Sequence, residues 1–391
     1  MRAASTGSLS NLYAHRITAS SVAIPVRNEE AAIGPCLAAL FAQTEPPDQI
    51  LLLLNNCTDG TEDVARTMAR LCPSILRIVT RKLAPQQSSA GIARGLAIDL
   101  AASLAGPRGA VLTTDADGRV PPEWVARNLT GLRGGADVVC GTATIDPDDE
   151  RALRREIVED DAREACYTRL LDEIDSVIDP NPDDPWPRHT QHSGASIAFS
   201  VAALRAIGGV PRVAIGEDRA LIEAALKHDA RIRHDPEIDV VVSGRMVGRA
   251  EGGMAATIAR RMIKQDQWAD DRLEPVEAAI ARSILRAEAR RLWQKRPDRR
   301  EISEMAHGLA MSEVDALAAM FRLPRFGAVW QAIERASPRL ERRPVAMHEL
   351  AALISEATNR LAGYKSAFES EPLGRLPATE PSIDLGELAA A

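Results

Sequence analysis

No run in this chain approaches the ~20 apolar residues that a membrane-crossing helix needs. The most apolar run, residues 50–54, is only as long as a strand. Cys36, Cys57, Cys72, Cys140 and Cys166 are scattered, odd in number and without paired metal spacing, which argues against a disulfide framework and fits reduced thiols. None of them stands out as a nucleophile. Basic excess is missing too: the formal net charge is -7, against the positive balance expected of a dedicated nucleic-acid binder. Residues 1–16 have no apolar core and read as a polar, flexible tail rather than a signal peptide. No internal repeat is present. What remains is ordinary globular composition, 45% apolar and 26% charged over 391 residues. That length corresponds to roughly two to three domains.

The first half alternates short apolar runs with segments of helical period. Runs at 21–24, 50–54, 75–79, 110–112 and 137–140 are separated by helical patterns near 30–42, 61–71, 91–104 and 123–132. Repeated strand-helix-strand units predict a parallel sheet with right-handed crossovers and helices on both faces. Residues 148–178 read as a charged helix or helix pair, followed by a Pro-rich stretch at 180–187. Further strands are expected at 195–199 and 238–242; beyond Arg249 only amphipathic helices follow, with Trp293 and Trp330 as core anchors. The expected division is a tail (1–16), an α/β domain (17–250, divided at 142/143), a helical extension (251–368) and a loose tail (369–391).

Polar clusters stand where the strands end. Asp115-Ala116-Asp117 follows the apolar run 110–112, and Gly118 and Pro121-Pro122 then force the backbone into a loop. Open α/β sheets bind ligands outside the carboxyl ends of their strands, so two carboxylates here can hold a divalent cation against a diphosphate. A solvated turn is the other reading. An EF-hand calcium loop is excluded, because its fifth position is Arg119 and the glycine required at the sixth is Val120. Upstream, Pro25-Val26-Arg27-Asn28-Glu29-Glu30 ends the first strand, with Asn28 a candidate N-cap and the two glutamates suited to a helix N-terminus. Asn55-Asn56-Cys57-Thr58-Asp59-Gly60-Thr61 ends the second, where a turn with a helix cap is the simpler explanation. Ser88-Ser89-Ala90-Gly91 opens a helix that carries Arg94 one turn in. Downstream lie His192-Ser193-Gly194-Ala195-Ser196, Gly208-Gly209 and Gly216-Glu217-Asp218.

In this order the segments resemble the GT-A glycosyltransferases, most closely glycosyltransferase family 2, over about residues 20 to 250. The resemblance implies a GT-A (Rossmann-like) α/β fold, a mixed and mostly parallel sheet flanked by helices, with an α-helical C-terminal extension. It implies that Pro25, Glu29, Asn55 and Asp59 line a nucleoside, with Arg27 in the same donor site and Arg94 near the diphosphate. Asp117, with Asp115, would ligate Mg²⁺ or Mn²⁺, Asp115 reaching also toward sugar or ribose. Asp218, beside Glu217, would be the base of an inverting single displacement. The chemistry asks for such a set: a cation neutralises the leaving diphosphate, and a positioned carboxylate takes the acceptor's proton. Arg245 and Arg249, in the glycine-rich stretch 243–253, suit the leaving diphosphate or an anionic acceptor; a polar loop capping the next helix is the alternative. His192 or His234 is a candidate to complete a cation shell, the alternative being a hydrogen-bonded histidine.

Departures shape the expectation. Asn55 stands where many relatives carry Asp; its amide oxygen can still accept from a uracil N–H, so a UDP-sugar stays favoured while the base identity is left open, and Gly95 follows Arg94 where relatives often have Asn. Gln265-Asp266-Gln267-Trp268 only half resembles the Gln-x-x-Arg-Trp element of processive polysaccharide synthases, which points to a single transfer. The expected enzyme is cytoplasmic and meets any lipid-linked acceptor from the inner membrane face. Its acceptor is a hydroxyl-bearing small molecule, glycan or lipid, it has no nucleic-acid partner, and its helical extension is a candidate lid or dimerisation element. Two rivals are a sugar-phosphate nucleotidyltransferase, which would want a Gly-rich basic loop after the first strand, and a non-catalytic nucleotide-sugar scaffold.

Overall fold

A computed structural model of the chain describes residues 17–84, 87–245 and 254–369. The expected N-terminal tail, residues 370–391 of the expected C-terminal tail and Arg249 lie outside the described residues. The described chain divides into two compact units, one of residues up to 154 and 188–263, the other of 155–187 and 264 onward.

The first unit is built on one seven-stranded sheet in the order β3-β2-β1-β4-β6-β5-β7. Its strands are β1 (Ser20–Val26), β2 (Gln49–Asn55), β3 (Leu76–Arg81), β4 (Ala110–Thr113), β5 (Val138–Ile145), β6 (Ile197–Ser200) and β7 (Ile232–Val242). The helices among them are α1 (Ile33–Phe41), α2 (Thr61–Ala69), α3 (Ala90–Ala105), α4 (Trp124–Arg133) and α5 (Pro147–Glu150). Next in chain order comes α6 (Arg155–Ile178), which belongs to the second unit, and then α7 (Val201–Ala206), α8 (Glu217–Lys227) and α9 (Met254–Ile263) of the first.

Strands β1 to β4 pair in parallel, Val22 lying opposite both Ile50 and Leu112, as helical crossovers require. The parallel pattern breaks at β6, which runs antiparallel to both β4 and β5. Side chains of β1 and β2 alternate between two cores. Val22, Ile24, Leu52 and Leu54 pack with Leu37, Leu40 and Trp124 on one face; Ala23, Leu51 and Leu53 pack with Ala97, Ile98 and Ala101 on the other. Gly141 sits at the register shift between β5 and β7, where a Cβ would come within 2.4 Å of the Ile238 side chain and 2.5 Å of Ser196 Oγ. The last strand is longer than the expected 238–242, because pairing with β5 begins already at Ile232.

The second unit is helical: α6, α10 (Val276–Lys295), α11 (Arg299–Gly308), α12 (Val314–Met320), α13 (Phe326–Ala336) and α14 (Leu350–Glu369). Two apolar clusters hold it. Trp330 is buried with Leu292, Phe321 and Ile333, while Trp293 packs at the edge of that cluster and donates from Nε1 to the Leu323 carbonyl at 3.0 Å. The other cluster joins Tyr167 and Ile174 of α6 to Val276, Ile280, Leu350 and Ala357. Tyr167 donates its hydroxyl to the Glu274 carbonyl at 2.7 Å. The expected boundary near residue 250 is therefore displaced in two ways. The sheet unit continues to residue 263, and 155–187, expected inside the acceptor half, is part of the helical unit. A charged amphipathic helix does not announce which partner its apolar stripe will meet, and that accounts for the difference.

Candidate functional site

The turns after β1 and β2 hold each other. Asn28, at φ 55°, adopts the left-handed conformation that asparagine tolerates better than most residues, and its Oδ1 accepts from Thr58 N at 2.8 Å. It is not the N-cap expected from the sequence: α1 starts at Ile33 with Ala32 in that place and no side-chain cap. Glu29 is buried; its N–H donates to Thr61 Oγ1 at 2.7 Å. Thr61 in turn donates to Asp59 Oδ1 at 2.5 Å, and Asp59 Oδ2 accepts from Glu30 N at 3.3 Å. Burial would raise the Asp59 pKa, but hydrogen bonds from Thr61 and Glu30 outweigh it and hold the carboxyl below its ordinary range. Asn55 ends β2 buried, Pro25 is half-buried in β1, and Arg27 reaches the Ser88 carbonyl at 3.3 Å.

The loop after β4 carries Asp115 and Asp117, and each is matched by an arginine. Arg94 arrives from α3, whose first turn is capped by Ser89. Its guanidinium is enclosed: Nε lies 2.7 Å from Glu217 Oε1, Nη2 2.6 Å from Asp115 Oδ1, and Nη1 donates to the Gly194 carbonyl at 2.9 Å. Burial works against the Arg94 charge, and the neighbouring Asp115 and Glu217 carboxylates more than restore it. Gly194 has no room for a side chain, since a Cβ would lie 2.5 Å from Arg94 Cζ.

Asp117 meets the second arginine. Arg245, just past β7, grips the Glu29 carboxylate with both terminal nitrogens at 2.6 and 2.5 Å and lies 3.2 Å from Asp117. Burial, with Asp115 adding to it, pushes the Asp117 carboxyl up to about 6, against the opposing pull of Arg245. Cys36, whose thiol donates to the Asp115 carbonyl at 3.5 Å, is driven far up by burial and by the nearby acids, so it is inert as a nucleophile.

Glu217 and Asp218 open α8 after Gly216, which is left-handed at φ 73°. The two acids have separate surroundings. Glu217 is buried against Arg94, whereas Asp218 is half-buried, with Oδ2 accepting from Gly194 N at 3.1 Å and Oδ1 from Arg219 N at 2.8 Å. Glu217, expected beside the base, is thus the counterion of Arg94, and Arg94, expected at a diphosphate, is enclosed by protein acceptors. His192 and His234 face each other with Nε2···Nε2 at 3.1 Å, which is the hydrogen-bonded alternative for these histidines.

The donor set suits a hard divalent cation. Asp117 and Asp115 offer carboxylate oxygens in a patch that also holds Glu29, and among the described residues no group of three or more acidic, histidine or cysteine side chains forms a closed metal cage. Mg²⁺ and related ions are bound in this open way, through one or two carboxylates with the remaining positions left to phosphate and water. What sequence reasoning missed is the pairing: Arg245 and Glu29 stand 216 positions apart, and no periodicity links them.

The mixed, mostly parallel sheet of this order, with paired aspartates after β4 and an acidic helix start at α8, has the architecture expected from the sequence. Residues 21–182 match the family model described as glycosyl transferase family 2. The matched stretch carries β2 to β5 and the loop that holds Asp115 and Asp117. No curated protein matches it. Among solved structures it is similar to the mannosyltransferase PcManGT of Pyrobaculum calidifontis in complex with GDP-Man and Mn²⁺, at 16% identity and TM-score 0.42, over 96% of this chain and 79% of that one. It is also similar to S. aureus TarS 1–349 in complex with UDP-GlcNAc, at 15% identity and TM-score 0.43, over 91% and 93%. A third is glucosyl-3-phosphoglycerate synthase of Mycobacterium tuberculosis, at 17% identity and TM-score 0.41, over 66% and 80%.

Proposed function

We propose that the enzyme transfers a sugar from a nucleoside diphosphate sugar, UDP-sugars being favoured, to an acceptor hydroxyl in a single inverting displacement. The observation that carries this reading is the frame around Arg94. One guanidinium holds Asp115 and the Gly194 carbonyl, and the Gly194 N–H holds Asp218. The acid proposed as base is thereby fixed relative to the acids proposed for donor and cation.

In this reading Asp218 takes the acceptor proton while the acceptor oxygen bonds to the anomeric carbon. The bond from that carbon to the diphosphate oxygen breaks with its electron pair leaving on the diphosphate. Asp117 and Asp115 would hold Mg²⁺ or Mn²⁺, which supplies neutralisation of the charge developing there. Pro25, Asn55 and Asp59 border the nucleoside, and Arg27 lies beside them. Arg245, already poised between Glu29 and Asp117, adds positive charge at the diphosphate, with Arg249 in the same role. Glu217 acts through Arg94 as a positioning residue. No helix among the described residues is long and apolar enough to cross a membrane. In this reading a lipid-linked acceptor is met at the membrane surface.

A thermal-shift series with UDP- and GDP-sugars, each with and without Mn²⁺, tests the reading. Binding to the folded state raises the unfolding temperature by mass action. At least one nucleotide sugar is expected to give a Mn²⁺-dependent rise, and no metal-dependent shift with any of them would contradict it.

A further inference from the structure

Within the helical unit, a cavity of about 510 Å³ opens beside Trp268, in the size range of small-molecule sites. None of its lining residues belongs to the sheet unit. Trp268 is 55% exposed, an unusual position for the largest apolar side chain, yet its backbone is fixed. It bridges to Ala346, with Met347 N donating to the Gln267 carbonyl at 3.0 Å and Ala269 N to the Val345 carbonyl at 2.9 Å. The indole is therefore held out on a rigid support.

Around it stand polar groups with unused hydrogen-bonding capacity. The Trp268 Nε1, the Gln267 amide and the exposed His348 ring make no hydrogen bond among the described residues. Arg163 donates to Asp160 alone, and its Nε is buried without a partner. Asp160 is itself buried and anchored, its Oδ2 accepting from Gln265 at 2.9 Å. The Arg163 side chain is 43% exposed, so its terminal N–H groups, with the Trp268 and Gln267 donors, suit a ligand rich in oxygen acceptors.

We infer that this cavity binds a neutral saccharide, one ring stacked on Trp268 and its hydroxyls on Arg163, Gln267 and His348. A sugar presents one face of polarised C–H groups to the electron-rich indole and a rim of groups that both donate and accept. An anion fits less well, because Asp160 cancels Arg163 and Asp266 adds a negative charge to the lining. A purely apolar ligand would leave the polar rim unsatisfied. The fixed backbone keeps the cost of ordering low. The site lies outside the residues proposed for transfer, and its test reads binding alone.

Saturation-transfer NMR on the full chain would use glucose, mannose, galactose and N-acetylglucosamine, their methyl glycosides, and maltose. At least one is expected to bind and to perturb tryptophan fluorescence. Trp268→Ala weakens it roughly tenfold and Gln267→Ala about threefold, with saturating UDP and Mn²⁺ displacing none of it. Tighter binding of a methyl glycoside than of its parent sugar assigns the site to a glycan, and the reverse to a free sugar. The proposal is overturned if no saccharide binds, if Trp268→Ala binds as tightly as wild type, or if UDP displaces it. Should Trp268→Ala fail to fold, the Gln267→Ala result decides on the same terms.

Discussion

Arg94 and Glu217, 123 positions apart, form a buried ion pair at 2.7 Å, and the same guanidinium holds Asp115 at 2.6 Å. Removing one partner of a buried pair leaves the other charge stranded, a loss of about 3–5 kcal/mol. Arg94→Met is expected to lower stability to urea by that order and to abolish transfer. Arg94→Lys keeps the charge without the planar fork and should recover only part of the stability. A wild-type denaturation midpoint in Arg94→Met would contradict the frame described here.

Gly194 offers a second way to disturb the same frame without touching a charge. Its Cβ would fall 2.5 Å from Arg94 Cζ and 2.7 Å from Nε, and Arg94 cannot yield while Asp115 and Glu217 hold it. Gly194→Ala is expected to cost about 1–3 kcal/mol as overpacking and to lower kcat by moving Asp218, which Gly194 N–H orients. Urea denaturation and steady-state turnover would measure both.

Asp117 predicts a pH effect in metal-free protein. Its folded-state pKa of about 6 stands above the unfolded value near ~3.9, so the group favours folding at low pH, and that contribution is lost as pH rises through 6. Asp117→Asn removes the loss while leaving Arg245 on Glu29. In EDTA the variant should be more stable than wild type by about 2 kcal/mol at pH 7.5, with the difference gone by pH 4. Denaturation across pH would show it, and a variant less stable than wild type at pH 7.5 would refute it.

Much of the sheet was readable because its strands are short apolar runs bounded by polar turns. The runs at 21–24, 50–54 and 110–112 fall within β1, β2 and β4. Asp115-Ala116-Asp117 was found for the same reason: it stands at a strand end. What could not be read was pairing at a distance. Glu217 sits beside Asp218 in the chain, and only the fold reveals that one faces Arg94 while the other accepts from Gly194. Asn28 looked like a cap because its side chain suits one, yet its positive φ turns it to Thr58 instead. The placement of α6 with the helical unit was illegible too, since its burial of Tyr167 and Ile174 depends on α10 and α14 being there to receive them.

The most direct test of the proposed mechanism separates binding from proton transfer at Asp218. Asp218→Asn keeps an oxygen to accept from Gly194 N–H but removes the basic carboxylate. With the donor that gives the largest Mn²⁺-dependent shift, calorimetric affinity is expected to stay within about twofold of wild type. Transfer should fall by roughly 10²–10⁴. Unchanged turnover in Asp218→Asn would contradict the assignment of the base.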